Sequence, residues 1–267
     1  MRVAACVRWV DLRPEIDQLT GEVRTDARRG GFSAADQAAV EIALCLGQDW
    51  DATVELVSVG GPHIEPALRE LSATGVDRVV RVDGGDAAGG LADALGGVDL
   101  VVCGDYSTDG GSGAVPALVA HELGVAQALG LVTLEVGSRG MVTATRRLGG
   151  GRAERLAVAA PAVISVEGSM ATLRRAALPA LLNAAERPVE VASGRSVGRA
   201  PVVVEAGPWR PRARSLPPPV GRDARDRIIA LTGALVDRTP PRVLDLEPAE
   251  AADAIVTQLR DWGYLER

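Results

Sequence analysis

VDLVVCGDYSTDGGSGAVPALVAHELG, residues 98–124, joins a strand, a glycine-rich loop and a helix in direct succession. Leu100, Val101, Val102 and Cys103 form an unbroken apolar run, which suits a parallel strand covered on both faces better than an alternating, half-exposed one. The strand ends at Gly104. From Asp105 to Gly113 the chain carries three glycines, two aspartates and the hydroxyls of Ser107, Thr108 and Ser112, and then Ala114, Leu118, Val119 and Leu123 recur at helical spacing. Such a loop presents backbone N–H groups beside a helix N-terminus, where unpaired donors and the helix dipole favour an anion such as a nucleotide phosphate. Glycines that merely turn the chain between strand and helix account for the stretch equally well.

Upstream, Arg2 to Val10 reads as a first strand and Asp11 to Gly31 as a long polar connection with a turn at Thr20-Gly21. Ser33 is placed to cap a helix from Ala34 to Leu46, with Asp36 and Gln37 in its first turn. Thr53 to Val59 is a second strand; Gly60-Gly61-Pro62 leads into a helix bearing Ile64, Leu68 and Leu71. A strand over Arg78–Val82 and a weaker helix around Leu91 to Leu95 follow. The order βαβαβαβα predicts an α/β fold with a doubly wound, mostly parallel, Rossmann-like sheet. Ligands of such sheets sit outside the carboxyl ends of the strands, which nominates Cys6, Val59 and Gly104.

Downstream the pattern changes. Residues 131–136, the turn GSRG and residues 141–148 form a hairpin extension, with one or two further strands after Gly149-Gly150-Gly151. Pro179 sits in the first turn of a helix that Leu181 and Leu182 continue to about Arg187. Residues 189–206 look extended, and GPWRPRARSLPPPVGR, residues 207–222, has the Pro/Arg content of a stiff exposed linker. Helical patterns over Asp223–Val236 and Glu247–Trp262 close the chain. The expected organisation is an α/β nucleotide-binding domain over 1–192, an extended linker over 193–222 and a helical arm over 223–267.

With 267 residues, 47% of them hydrophobic, the chain can bury a full core. A net charge of −6 argues against nucleic acid as a partner, since phosphate backbones demand a concentrated basic surface. Arg8 and Asp11 interrupt any secretory apolar core, and no apolar run reaches 18 residues. The expectation is a cytoplasmic protein without membrane insertion. Cys6, Cys45 and Cys103 lack CxxC spacing and lie in apolar segments, so buried thiols are expected rather than disulfides or a metal site.

The chain contains no lysine, which excludes the P-loop pattern GxxxxGK[ST]. Ser112 loosely mimics a nucleophile elbow but lies eight residues past Gly104, and the only histidines, His63 and His121, do not follow it at a hydrolase's late position. Asp109 could act as an acid or base, or simply cap backbone amides of its loop. No catalytic constellation is assembled.

Four stretches together resemble the beta subunit of electron transfer flavoproteins. ACVRWVDL is similar to that family's first strand at Cys6, Val7, Arg8 and Val10. FSAADQAAVEIALCL, residues 32–46, matches the family's N-P-(F/Y)-(D/E)-x-x-A-V-E-x-A-L-x-L at Asp36, Ala39, Val40, Glu41, Ala43, Leu44 and Leu46, with Ser33 and Ala34 replacing Asn-Pro. GDYSTDGGSGAV, residues 104–115, falls on the nucleotide loop, and ALPALLNAAERPVEV, residues 177–191, is similar to A-T-L-P-N-I-M-K-A-x-K-K-P-(I/V). The resemblance spans residues 1 to about 192 and continues through the tail in outline.

The resemblance implies an electron carrier rather than an enzyme, paired with an alpha subunit that holds most of the FAD. The beta subunit would bury a structural AMP or, in the electron-bifurcating branch, a second FAD. It implies nucleotide contacts at Cys6, Ser33, Ala34, Ala35, Asp36 and Val59, and along the stretch Gly104 to Val115, above all at Gly104, Asp109, Gly110, Gly111, Ser112, Gly113, Ala114 and Val115. Gly113, Ala114 and Val115 replace the usual polar residues, whereas Asp109-Gly110 resembles the bifurcating D-G-D-T, so AMP and FAD both remain open. Leu178 falls on the leucine that anchors partner dehydrogenases; by pattern alone it reads as a core leucine preceding a helix. The usual lysines after it are absent, which marks a divergent member serving a specialised dehydrogenase, and the terminal helices would embrace the alpha subunit. A stand-alone adenine-nucleotide sensor and an enzyme acting on a nucleotide are the competing readings.

Overall fold

A computed structural model of the chain describes residues 1–196, 207, 218, 219, 221, 223–232 and 243–265. The expected linker at 207–222 therefore lies almost wholly outside the described residues, as do the extended reading of 197–206 and the end of the helical pattern at 233–236. The chain divides into two compact units, Met1–Trp209 and Arg210–Arg267.

In the first unit the elements run β1 (Arg2–Cys6), β2 (Trp9–Asp11), β3 (Glu15–Ile16), β4 (Val23–Arg24), β5 (Gly30–Phe32), α1 (Ala34–Trp50), β6 (Thr53–Val59), α2 (Glu65–Ser72), β7 (Arg78–Asp83), α3 (Ala87–Ala94), β8 (Leu100–Gly104) and α4 (Val115–Leu123). Then come β9 (Ala126–Val136), β10 (Met141–Leu148), β11 (Arg152–Ala159), β12 (Ala162–Val166), α5 (Leu178–Ala184) and β13 (Glu190–Ser193). The second unit contains α6 (Ala224–Thr232) and α7 (Pro248–Asp261). Among the described residues, no helix is long and apolar enough to cross a membrane.

Nine strands form one sheet in the order β11-β10-β9-β12-β8-β1-β6-β7-β13. From β9 to β13 every neighbouring pair is parallel, and β9, β10 and β11 form an antiparallel extension. This is the doubly wound α/β class. From β1 the chain winds outward through β6 and β7, then crosses back to β8 on the other side of β1. The strand order thus reverses between β1 and β8, where adjacent connections leave to opposite faces and open a crevice.

Alternation along the strands divides the core. Val3, Ala5, Leu100 and Val102 face α1 and α2 with Leu44, Leu46 and Leu68. Ala4, Cys6, Val101 and Cys103 face α3 and α4 with Leu91 and Val119. With 3% aromatic residues, the core depends on close approach of small side chains: Ala38, Ala39 and Ala43 of α1 are completely buried. At the opposite, amino end of the sheet, Glu55 is 2% exposed and accepts from Arg2 Nε at 2.6 Å and Arg78 Nη1 at 3.4 Å.

Several expected boundaries move. The single strand Arg2–Val10 is two strands: after the Val7 amide donates to Val57 O, the chain leaves the sheet at Arg8, and Trp9–Asp11 pairs antiparallel with Gly30–Phe32. Trp9 meets Phe32 edge-on at 5.2 Å, fixing this ribbon. The polar connection also contains the pair β3–β4 around the expected turn. The helix expected around Leu91–Leu95 begins at Ala87, because Asp86 accepts from the Gly89 amide as N-cap, and α1 runs on to Trp50. Strand β9 starts before the expected hairpin because its first half pairs parallel with β12 and its second half antiparallel with β10. Between the halves the register shifts, and the buried Ser165 hydroxyl accepts from the Gly130 amide at 2.9 Å. Leu178 is not the core leucine of the pattern-based expectation: it is the first residue of α5 and 68% exposed. Cys45 is half-buried rather than enclosed, beside Glu41 and Arg174.

Candidate functional site

A cleft of about 590 Å³, counted to its open mouth, lies at the carboxyl ends of β1, β6 and β8. Its floor contains Cys6 and Cys103. Val59 and Leu91 form one apolar wall, Val115 and Pro116 at the start of α4 the other, and Arg8, Asp36, Asp105, Ser107 and Ser112 bring polar groups to it. Arg8 is the one cationic residue among the described residues that line it.

The glycine at the end of β8 brings the walls together. A Cβ on Gly104 would lie 3.0 Å from the Ala35 carbonyl carbon and 3.1 Å from the Asp36 nitrogen, so only a bare backbone lets β8 end against the first turn of α1. In the loop, Gly113 has φ +60°, and a Cβ there would meet Asp105 O at 2.7 Å. The loop thus folds back on the strand end from which it started.

The loop is also tied across the mouth. Asp109 accepts from Ser107 Oγ and the Gly110 amide, each at 2.7 Å, and from Arg8 Nε at 2.7 Å. Burial would raise its carboxyl, but the Arg8 guanidinium, the Ser107 hydroxyl and the Gly110 amide hold it below its ordinary value. Thr108 Oγ1 donates to Asp11 O at 3.2 Å, so two loop side chains reach the β1–β2 segment. Both Arg8 and Asp109 remain well exposed at the rim, where an anionic ligand would compete with the carboxylate for the guanidinium.

Asp36 enters the cleft from the first turn of α1. Ser33 Oγ accepts from the Asp36 amide at 3.1 Å, while Asp36 Oδ2 accepts from the Ser33 amide at 3.1 Å and from its hydroxyl at 2.7 Å, a closed capping box. Asp36 Oδ1 accepts from the Arg8 amide at 3.3 Å, joining the helix start to the end of β1. Burial pushes the Asp36 carboxyl up to about 6 despite these donors. Burial and the nearby Glu167 also push Asp105 up.

Of the residues expected to contact a nucleotide, Cys6, Asp36, Val59, Gly104, Ser112, Gly113 and Val115 line this one cleft. The others stand just behind it. Ser33 is turned toward Asp36, Ala35 packs on Gly104, and Ala34 meets Gly168. Asp109 is turned toward Arg8, Gly110 and Gly111 belong to the exposed stretch of the loop, and Ala114 is the N-cap of α4 rather than its first helical residue. Leu178 is absent from the lining, as an anchor for another protein would be. Asp105, Tyr106 and Ser107, within the expected stretch Gly104 to Val115, also line the cleft, whereas sequence reasoning did not assign Val7, Arg8, Ala87, Leu91 or Pro116 to the site. Arg8 could have been found: in a chain without lysine a permanently cationic side chain for an anion has to be an arginine, and Arg8 follows the nominated strand end at Cys6 by two residues.

The apolar walls suit a purine ring, and Arg8 with the loop hydroxyls suits a phosphate, so the residues present fit an adenine mononucleotide. Residues 20–195 match the family model described as "Electron transfer flavoprotein domain". Among curated proteins, electron transfer flavoprotein subunit beta of Chromohalobacter salexigens is 33% identical over 256 residues, covering 91% of this chain and 90% of that protein. The subunits of the same name from Syntrophomonas wolfei and Bacillus subtilis are 28% and 25% identical, covering 72% and 68% of this chain and 80% and 75% of their own lengths.

Proposed function

This chain belongs to the electron transfer flavoprotein family as a relative of its beta subunits, and on that premise we propose that its cleft holds a structural AMP. Paired with an alpha subunit carrying FAD, the protein takes electrons from dehydrogenases and passes them to a downstream acceptor. The observation that carries the assignment is the cleft at the point of strand-order reversal, with apolar walls and Arg8 as its described cation. The FAD supplies the redox chemistry. This chain's own residues bind and orient: Val59, Leu91 and Val115 flank the base, Arg8 and Ser112 meet the phosphate, and Asp36 holds the start of α1 against β1.

Partner docking rests on exposure. Leu178 and Leu182 are 68% and 66% exposed one helical turn apart on α5, as a docking knob requires. In the second unit Ile228, Leu231, Ile255 and Trp262 are likewise exposed, which supports an arm that covers an alpha subunit. Removing the chain after residue 206 is expected to weaken the heterodimer on a sizing column.

Co-expression with a candidate alpha subunit, followed by an absorbance spectrum and chromatography of the released nucleotides, tests the proposal. The expected product is a yellow heterodimer releasing FAD and AMP in equal amounts. Two FAD and no AMP would move the chain to the bifurcating branch, a reading supported by the small side chains at Gly113, Ala114 and Val115. A colourless chain without nucleotide would overturn the carrier.

A further inference from the structure

Two of the chain's three cysteines, Cys6 and Cys103, face each other in the floor of the cleft, where neither nucleotide binding nor electron carriage requires a thiol. They are register partners in the adjacent parallel strands β1 and β8. Neighbouring strands lie about 4.8 Å apart, inside the roughly 4.4–6.8 Å between Cα atoms that a disulfide spans. Strand alternation sends both side chains to the same face, since Cys6 and Cys103 share one core cluster with Ala4 and Val101, while Ala5 and Val102 belong to the other. Both thiols are free and buried under the same cleft, to which a small oxidant has access.

We infer that Cys6 and Cys103 are a redox-active dithiol, a modification site that hydrogen peroxide converts to a disulfide joining the two central strands beneath the cleft. The step balances in two stages. One thiol attacks the peroxide, its sulfur gaining an oxygen and the O–O bond breaking, to give a sulfenic acid and water. The second thiol then attacks that sulfur, the S–S bond forms, and the hydroxyl leaves as a second water with the second thiol proton. The pair loses two electrons and the peroxide gains two. Hydrogen bonding to Cys103 and burial push the Cys6 thiol well up, so the thiolate fraction is small and the oxidation by peroxide is slow. Cys45 provides an internal comparison: it lies on α1 between Glu41 and Arg174, with neither of the other cysteines as register partner.

The test is peroxide treatment of the full chain, followed by digestion without reductant and mass spectrometry. The expected product is a peptide pair linked through Cys6 and Cys103, reversed by dithiothreitol and formed at an unchanged rate, within twofold, in Cys45→Ala. Cys103→Ala is expected to lose the linked pair and to accumulate sulfenic or sulfinic acid at Cys6. The wild-type map needs no variant to fold. Oxidation of Cys6 and Cys103 to separate sulfinic acids, or oxidation of Cys45 alone with both others left as thiols, would overturn the inference. Because the linked peptide is read without any nucleotide, failure here is distinct from failure of the AMP assignment.

Discussion

Replacing Asp36 by asparagine will change how stability varies with pH, by an amount that follows from its place in the cleft. Asp36 is 5% exposed, and its carboxyl is pushed up to about 6 from 3.8. In the unfolded chain the same group returns to its ordinary value. Below about pH 4 both states are protonated and its contribution to stability is fully present. Between about pH 4 and 6 the unfolded chain gives up its proton first, the folded state binds more protons than the unfolded state, and stability falls as pH rises. A difference of about two pKa units corresponds to about 3 kcal/mol lost by pH 7. Asparagine does not titrate. Its effect on the capping box with Ser33 is the same at every pH, so the difference in unfolding free energy between wild type and Asp36→Asn isolates the linkage. Urea unfolding of both proteins from pH 4.5 to 7.5 measures it. The expected result is a wild-type advantage that shrinks, or a deficit that grows, by about 2 kcal/mol across that range. Parallel curves, or a wild type that gains on the variant as pH rises, would refute the argument that burial dominates over the donors at this carboxylate.

Other perturbations test the scaffold. Glu55→Ala leaves Arg2 and Arg78 without the carboxylate between them. Because Arg2 and Arg78 are 34% and 40% exposed and Arg78 keeps Glu190, the expected cost is about 1–2 kcal/mol, read as a lower urea midpoint at constant slope. Gly104→Ala forces a methyl against the backbone of Ala35 and Asp36; a loss of about 1–3 kcal/mol is expected in the same assay, with tenfold weaker AMP binding. Leu178→Ala removes an exposed side chain, so stability stays within about 0.5 kcal/mol while electron transfer from the partner dehydrogenase slows at subsaturating carrier.

The parallel part of the sheet was legible because its strands are short and rich in apolar residues, unbroken at Leu100–Cys103 and interrupted only by Glu55 and Ser58 within Thr53–Val59, with glycine and capping signals between them. The cleft followed from the topology, since strand ends meet where the winding reverses. What the sequence concealed depends on contacts between distant residues. Arg8-Trp9-Val10 continues the apolar rhythm of β1, and only the pairing of Trp9 with Phe32 takes the chain out of the sheet. The first-turn position of Asp36 predicts a favourable helix dipole, but not burial beside the end of β1. Asp109, readable from its loop as an acid or base or as an amide cap, accepts from the Gly110 amide and from the distant Arg8, a partner no local pattern names. The exposure of Leu178 is invisible in a pattern where Leu181 is half-buried and Ala184 is buried.

The central claim is that the cleft recognises a phosphorylated adenine nucleoside through Arg8. Calorimetric titration of nucleotide-stripped protein with AMP and with adenosine tests it most directly. One AMP should bind per chain, more tightly than adenosine. Arg8→Gln should weaken AMP about tenfold or more, the worth of a charge-assisted hydrogen bond, while leaving adenosine unchanged. Equal affinity for AMP and adenosine, or undiminished AMP binding to the variant, would contradict the account.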